Sequence, residues 1–98
     1  MEDINVQELK ERLDNGEKIE VVDVREEWEY DEINMGAKNI PLGTLPQRIS
    51  ELEHLKDTEL VVHCKSGRRS DQAKKYMQSQ GFNKVRNLLG GIDAYSQL

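Results

Sequence analysis

Sulfur and imidazole are scarce in this chain. Its 98 residues hold one cysteine, Cys64, and two histidines, His54 and His63. A single thiol excludes an internal disulfide and leaves no resolving partner, so dithiol redox chemistry is excluded as well. No metal site is expected, because adjacent His63 and Cys64 do not match the usual zinc-ligand spacings. Long apolar runs are missing, so no membrane partner is expected. The opening Met1-Glu2-Asp3 is acidic where a secretory leader would be basic and then apolar. An excess of positive charge is missing too. The formal net charge is −5, which disfavours nucleic acid, a partner that demands Lys and Arg clustered over a broad surface. No repeat, linker or low-complexity segment interrupts the chain, so residues 1–98 are expected to form one soluble, cytoplasmic domain. Charge itself is abundant. Charged residues make up 34% of the chain, above the usual quarter or so, which implies a strongly solvated surface around a core of modest size.

Strand and helix patterns alternate. Ile4-Asn5-Val6 reads as a short opening strand, and Gln7–Asp14 as an amphipathic helix with Val6, Leu9 and Leu13 on one face. Asn15-Gly16 ends that helix. Ile19–Val24 is the next strand, with Asp23 at its carboxyl end. The charged and aromatic stretch Arg25–Asp31 reads as a helix, with Trp28 turned to the core and the glutamates Glu26, Glu27 and Glu29 on a solvated face. Gly36–Leu42 reads as a turn and a short strand, in which Pro41 argues against a long central strand. Leu45–Leu55 has the pattern of a helix built on Leu45, Ile49, Leu52 and Leu55, with Pro46 in its first turn. Glu59–His63 is a strand. The helix that follows carries Ala73, Tyr76 and Met77 on one face and closes at Gln80-Gly81-Phe82. Lys84–Asn87 is a brief last strand, and Gly90-Gly91 opens a short terminal helix. The alternation implies an α/β fold, a small and largely parallel five-stranded sheet flanked by helices. In such sheets ligands bind beyond the carboxyl ends of the strands, where Asp23 and Cys64 both fall.

The densest chemistry lies in Leu60–Ser70. The apolar run Leu60-Val61-Val62 suits a buried parallel strand, and Cys64 stands where that strand hands over to a helix N-terminus. Unpaired N–H groups and the positive end of a helix dipole favour an anion there. Lys65, Arg68 and Arg69 add positive charge within five residues of the cysteine. These features lower a thiol's pKa below its free value of about 8.5. In an acidic chain a local cationic loop points to a small anion rather than a polyanion. Neighbours on a strand point to opposite faces, so His63 is expected to face away from the thiol. His54 reads as a surface residue, and Asp23 with Arg25 as an ion pair buttressing the loop.

Five segments together resemble the rhodanese family. They are Cys64-Lys65-Ser66-Gly67-Arg68-Arg69-Ser70 (a cysteine, four residues, then arginine), Asp23-Val24-Arg25, Gly36-Ala37-Lys38-Asn39-Ile40-Pro41, Gly81-Phe82 and Leu89-Gly90-Gly91-Ile92. They come in the family's order and span nearly the whole chain. The resemblance implies a cysteine that attacks a sulfane sulfur, becomes a persulfide and passes that sulfur to a nucleophile. On that analogy Cys64 is the nucleophile. The backbone N–H groups of Lys65, Ser66, Gly67, Arg68 and Arg69 cradle the persulfide and the departing anion. Lys65 and Arg68 attract an anionic donor such as thiosulfate, Arg69 holds the loop, and Ser70 favours the helix start. No cofactor is implied. The acceptor has to be external: cyanide, a small thiol or a partner protein's cysteine. The chain departs from the family at Asp31–Met35, where a Gly-His-Ile segment is common, and at Tyr95, where Trp is more usual.

Two other functions fit a reactive cysteine loop. A cysteine-dependent phosphatase or arsenate reductase also places Cys before a helix N-terminus, often after His. That pattern needs five residues between Cys and Arg, and position 70 is a serine here. A non-turnover binding or sulfur-relay module is the other alternative.

Overall fold

A computed structural model describes residues 1–98. Asn5 caps the first helix, α1 (Val6–Asp14), its side-chain oxygen accepting from Glu8 N–H at 2.8 Å. The chain therefore turns helical at Val6, and the opening segment contributes one bridge, Ile4 to Leu88, instead of a strand. The sheet has four strands, not the expected five: β1 (Glu20–Asp23), β2 (Lys38–Asn39), β3 (Leu60–His63) and β4 (Val85–Asn87). They lie in the order β2-β1-β3-β4, and every pair is parallel. From β1 the chain steps outward to β2, and from β3 outward the other way to β4. The strand order thus reverses between β1 and β3, where Asp23 and His63 pair in register. A crevice forms at such a reversal, and Cys64 is the first residue beyond it.

Alternation along β3 sorts its side chains. Leu60, Val62 and Cys64 join a core with Val22, Val24, Ile40, Leu45, Leu52, Ala73, Met77 and Phe82. Val61 joins a smaller core with Ile4, Val6, Leu9 and Leu88. The sulfur-bearing face is thus the one covered by α4 (Arg68–Ser79). That helix ends as expected, with Phe82 N–H donating to Met77 O at 3.0 Å and Gly81 N–H to Gln78 O at 3.2 Å.

Two helix expectations change. Residues Leu45–Arg48 form α3, but Ile49–Leu55 wind as a 3-10 helix. Three residues per turn place Ile49, Leu52 and Leu55 on one ridge, which matches their spacing of three. The other change concerns α2 (Glu27–Glu32). Trp28 is 63% exposed, and Glu29, expected to be solvated, is 9% exposed. The glutamate turns inward because it has partners there. Arg69 donates to its two carboxylate oxygens at 2.6 and 2.9 Å, and its Oε1 also accepts from the Glu26 N–H at 3.0 Å. A two-pronged guanidinium–carboxylate bond is among the strong polar contacts, and it fixes the rotation of α2 at the expense of Trp28 burial. No helix is long and apolar enough to cross a membrane.

Asp23 and Arg25 are 0% and 2% exposed and form an ion pair at 2.7 Å. Removing one partner strands a buried charge. Asp23→Ala or Arg25→Ala is expected to cost about 3–5 kcal/mol in urea unfolding, and removing both to cost less than the sum. The Arg69 bond, opposed by burial and aided by the Glu26 N–H, holds the Glu29 carboxyl down at about 2. A depressed carboxyl contributes stability above its unfolded value of about 4.3 and loses it as pH falls through the folded value. Wild type is therefore expected to be more stable than Glu29→Gln at neutral pH, and the two melting curves are expected to converge on acidification towards about pH 2.

Candidate active site

The loop after β3 owes its shape to where its carbonyls go. Cys64 O accepts from Ile92 N–H at 2.9 Å and Lys65 O from Asp93 N–H at 3.0 Å. Both donors lie in the first turn of α5 (Gly91–Tyr95). A trans peptide points its N–H opposite to its C=O. The Lys65 carbonyl, drawn outward to α5, therefore turns the next amide, that of Ser66, inward towards the sulfur. This close approach needs glycine at position 91, since a Cβ there would lie 2.5 Å from both Cys64 O and Lys65 O. Gly67 sits at the bend with φ of +110°, a left-handed conformation that glycine adopts at little cost. Its N–H donates to Cys64 Sγ at 3.1 Å.

Cys64 is 1% exposed. Its sulfur also has Ser70 Oγ at 3.3 Å. Burial pushes the thiol pKa up, but the Ser70 hydroxyl and the N–H groups of Ser70, Gly67 and Ser66 pull it down, and the result is below the ordinary value. Hydrogen bonds donated to the charged form favour it. The site thus stabilises negative charge on sulfur chiefly through oriented dipoles.

The three loop cations have different surroundings. Lys65 pairs with Asp93 at 2.9 Å and Arg69 with Glu29 at 2.6 Å. Arg68 is exposed and has no ion pair, and it lines an open polar cleft of about 580 Å³ together with Ser66, Gly67, Gln72, Lys75 and Asn87. The loop's positive charge is therefore largely answered locally, with Arg68 as its free member.

Asp23 and Arg25 meet the loop indirectly. Arg25 donates to Asp23 and to the backbone carbonyls of Glu29 and Ile33, at 3.3 and 2.7 Å. It thereby fixes α2, whose Glu29 grips Arg69. His63 is fully buried. Its Nδ1 lies 3.3 Å from Cys64 O, and its Nε2 lies 3.6 Å from Asp23 Oδ2 without a hydrogen bond. Burial lowers its pKa, with the Asp23 carboxylate opposing, so the ring is neutral near pH 7. It packs against the strand ends and makes no hydrogen bond to the sulfur.

Two residues built into the site went unread in the sequence. Glu29 was hidden in an acidic run, although Glu26-x-x-Glu29 is a capping-box spacing. Asn87 ends β4 as Asp23 ends β1. Its side chain donates to Gly67 O at 3.0 Å and accepts from Ser70 Oγ at 2.6 Å. A short polar side chain closing a strand at the sheet's carboxyl edge was the available signal.

The model of the rhodanese-like domain family matches residues 5–98. A protein of Allochromatium vinosum named as a sulfurtransferase is 36% identical over 96 residues, covering 97% of this chain and 88% of its own. YrkF of Bacillus subtilis, provisionally named a sulfur carrier protein, is 37% identical over 91 residues, and the match covers 92% of this chain but only 48% of YrkF. This chain thus spans about half of that relative and most of the first. A crystal structure from Staphylococcus saprophyticus superposes with a TM-score of 0.85 at 34% identity, covering 97% of this chain and 93% of the other. The parallel sheet, the cysteine loop at the strand reversal and a family match over nearly the whole length agree, and the chain belongs to the rhodanese-like domain family.

Proposed function

We propose that this chain is a sulfurtransferase working through a persulfide on Cys64, with an anionic sulfane donor such as thiosulfate. The observation that carries this reading is the hydrogen bond that the Cys64 sulfur receives from the Gly67 amide at 3.1 Å, with the Ser70 hydroxyl oxygen 3.3 Å from the same sulfur. A thiolate held by dipoles is nucleophilic without a general base, which fits a site where His63 makes no bond to sulfur. In the first half-reaction the Cys64 thiolate attacks the outer sulfur of thiosulfate. A Cys–S bond forms, the S–S bond of the donor breaks, and sulfite leaves with the electron pair. The amides of Lys65, Ser66, Gly67, Arg68 and Arg69 hold the resulting persulfide anion, and unpaired Arg68 attracts the donor. Arg69 works through its bond to Glu29, keeping the loop in shape, and Asp23 with Arg25 supports the same arrangement through α2.

In the second half-reaction an external nucleophile (cyanide, a small thiol or a partner protein's cysteine) attacks the outer sulfur, and the Cys64 thiolate departs. The chain has one cysteine, so the acceptor has to come from outside it. The sulfur-carrier name of YrkF favours a relay to a partner thiol as the physiological form of this step. The four-residue gap between Cys64 and Arg69 disfavours the phosphatase reading, which needs one residue more.

Incubation with thiosulfate is expected to raise the intact mass by one sulfur atom, and cyanide or a thiol to reverse it, while Cys64→Ser gains nothing. Turnover of thiosulfate by Cys64→Ser would overturn the reading, and robust hydrolysis of an aryl phosphate would put the phosphatase alternative first.

A further inference from the structure

We infer that Asn87 is a positioning residue for the Cys64 loop, which it holds by bridging Gly67 and Ser70 from the end of β4. The inference rests on Cys64 being the reactive thiol.

Asn87 is 4% exposed and sits opposite Val62 in the β3–β4 register, one strand away from the cysteine. The orientation of its amide follows from its partners. Gly67 O can only accept, so Asn87 turns Nδ2 to it and leaves Oδ1 for Ser70. Gly67 O also accepts from Asp71 N–H at 3.1 Å, the first bond of α4. With this carbonyl drawn away by two donors, the following amide of Arg68 faces the other way. Asn87 thus braces the far half of the loop as α5 braces the near half. The asparagine is anchored in turn, its own N–H donating to Asp3 Oδ1 at 3.0 Å, where Lys74 Nζ also binds at 2.6 Å.

Ser70 makes this more than a brace. Its hydroxyl has one proton and two groups competing for it, Asn87 Oδ1 at 2.6 Å and Cys64 Sγ at 3.3 Å. Beside a neutral thiol the proton goes to Asn87. When the thiol gives its proton to solvent, the hydroxyl turns to the thiolate and leaves Asn87 Oδ1. The strength of the Asn87 acceptor therefore sets how readily Ser70 serves the sulfur. Nearby charges are otherwise matched: Arg69 with Glu29, Lys65 with Asp93, Lys74 with Asp3 and Arg25 with Asp23. Burial keeps His63 neutral near pH 7. A titration near neutrality thus reports Cys64.

The test is thiolate ultraviolet absorbance against pH in wild type, Ser70→Ala, Asn87→Asp and the double variant. Asn87→Asp places a stronger acceptor against Ser70 and an oxygen against Gly67 O. It is expected to raise the thiol midpoint by about one unit or more, a tenfold loss of thiolate at a given pH below it. In the Ser70→Ala background the same change is expected to raise it by less than half as much. An equal shift in both backgrounds, which charge alone would give, or no shift, overturns the inference. Amide hydrogen exchange in Asn87→Ala provides a second reading if the aspartate does not fold. Exchange is expected to speed up about tenfold at residues 66–70 and to stay unchanged in β1 and β3; unchanged or uniformly faster exchange overturns the inference. Persulfide mass gain on the same wild-type sample reports the sulfurtransferase reading separately, since thiolate absorbance and exchange need no sulfur donor.

Discussion

The outward pull on three loop carbonyls is the constraint on which the site depends. Cys64 O and Lys65 O are taken by the first turn of α5, and Gly67 O by Asn87 and the first turn of α4. Peptide planarity turns the Ser66 amide, which follows Lys65 O, towards the sulfur, and the Gly67 and Ser70 amides of the same loop face it as well. Without outside partners for its carbonyls, a loop of this length would have no reason to present several N–H groups to one point. Two of the three partner elements, α5 and the end of β4, are distant in sequence, so the anion site exists only in the folded chain.

The rest of the fold follows from bringing those partners together. The strand reversal between β1 and β3 opens the crevice in which the loop sits. Gly91 lets α5 come within bonding distance, and the close approach leaves no room for a Cβ. The buried Asp23–Arg25 pair fixes α2, and α2 supplies Glu29 to Arg69. A short sheet with modest cores thus keeps a sulfur nearly covered, yet stabilised as an anion by dipoles, while most of the cations near it are already answered by carboxylates.

The strand-then-helix alternation was legible because buried parallel strands leave short apolar runs and amphipathic helices leave a period of 3.6. The cysteine loop was legible for a different reason. A thiol, two glycine landmarks and three cations are concentrated in short motifs. Three things escaped a one-dimensional reading. The opening strand failed because Asn5 prefers to cap α1, a competition between two local structures that periodicity cannot rank. Trp28 and Glu29 exchanged roles because the decision depended on Arg69, forty residues away. Asn87 escaped for the same reason, since its partners lie at positions 67 and 70. Polar side chains that meet across long sequence separations leave no periodic trace, and they are what shapes this site.

The central claim is that loop amides share the negative charge of the Cys64 thiolate. Nuclear magnetic resonance of the backbone amides during a pH titration tests it most directly. The account predicts that the N–H signals of Ser66, Gly67 and Ser70 move together as Cys64 ionises, with one midpoint below the ordinary thiol value of about 8.5. Amide signals that stay still through the ionisation, or a midpoint at or above that value, would contradict it.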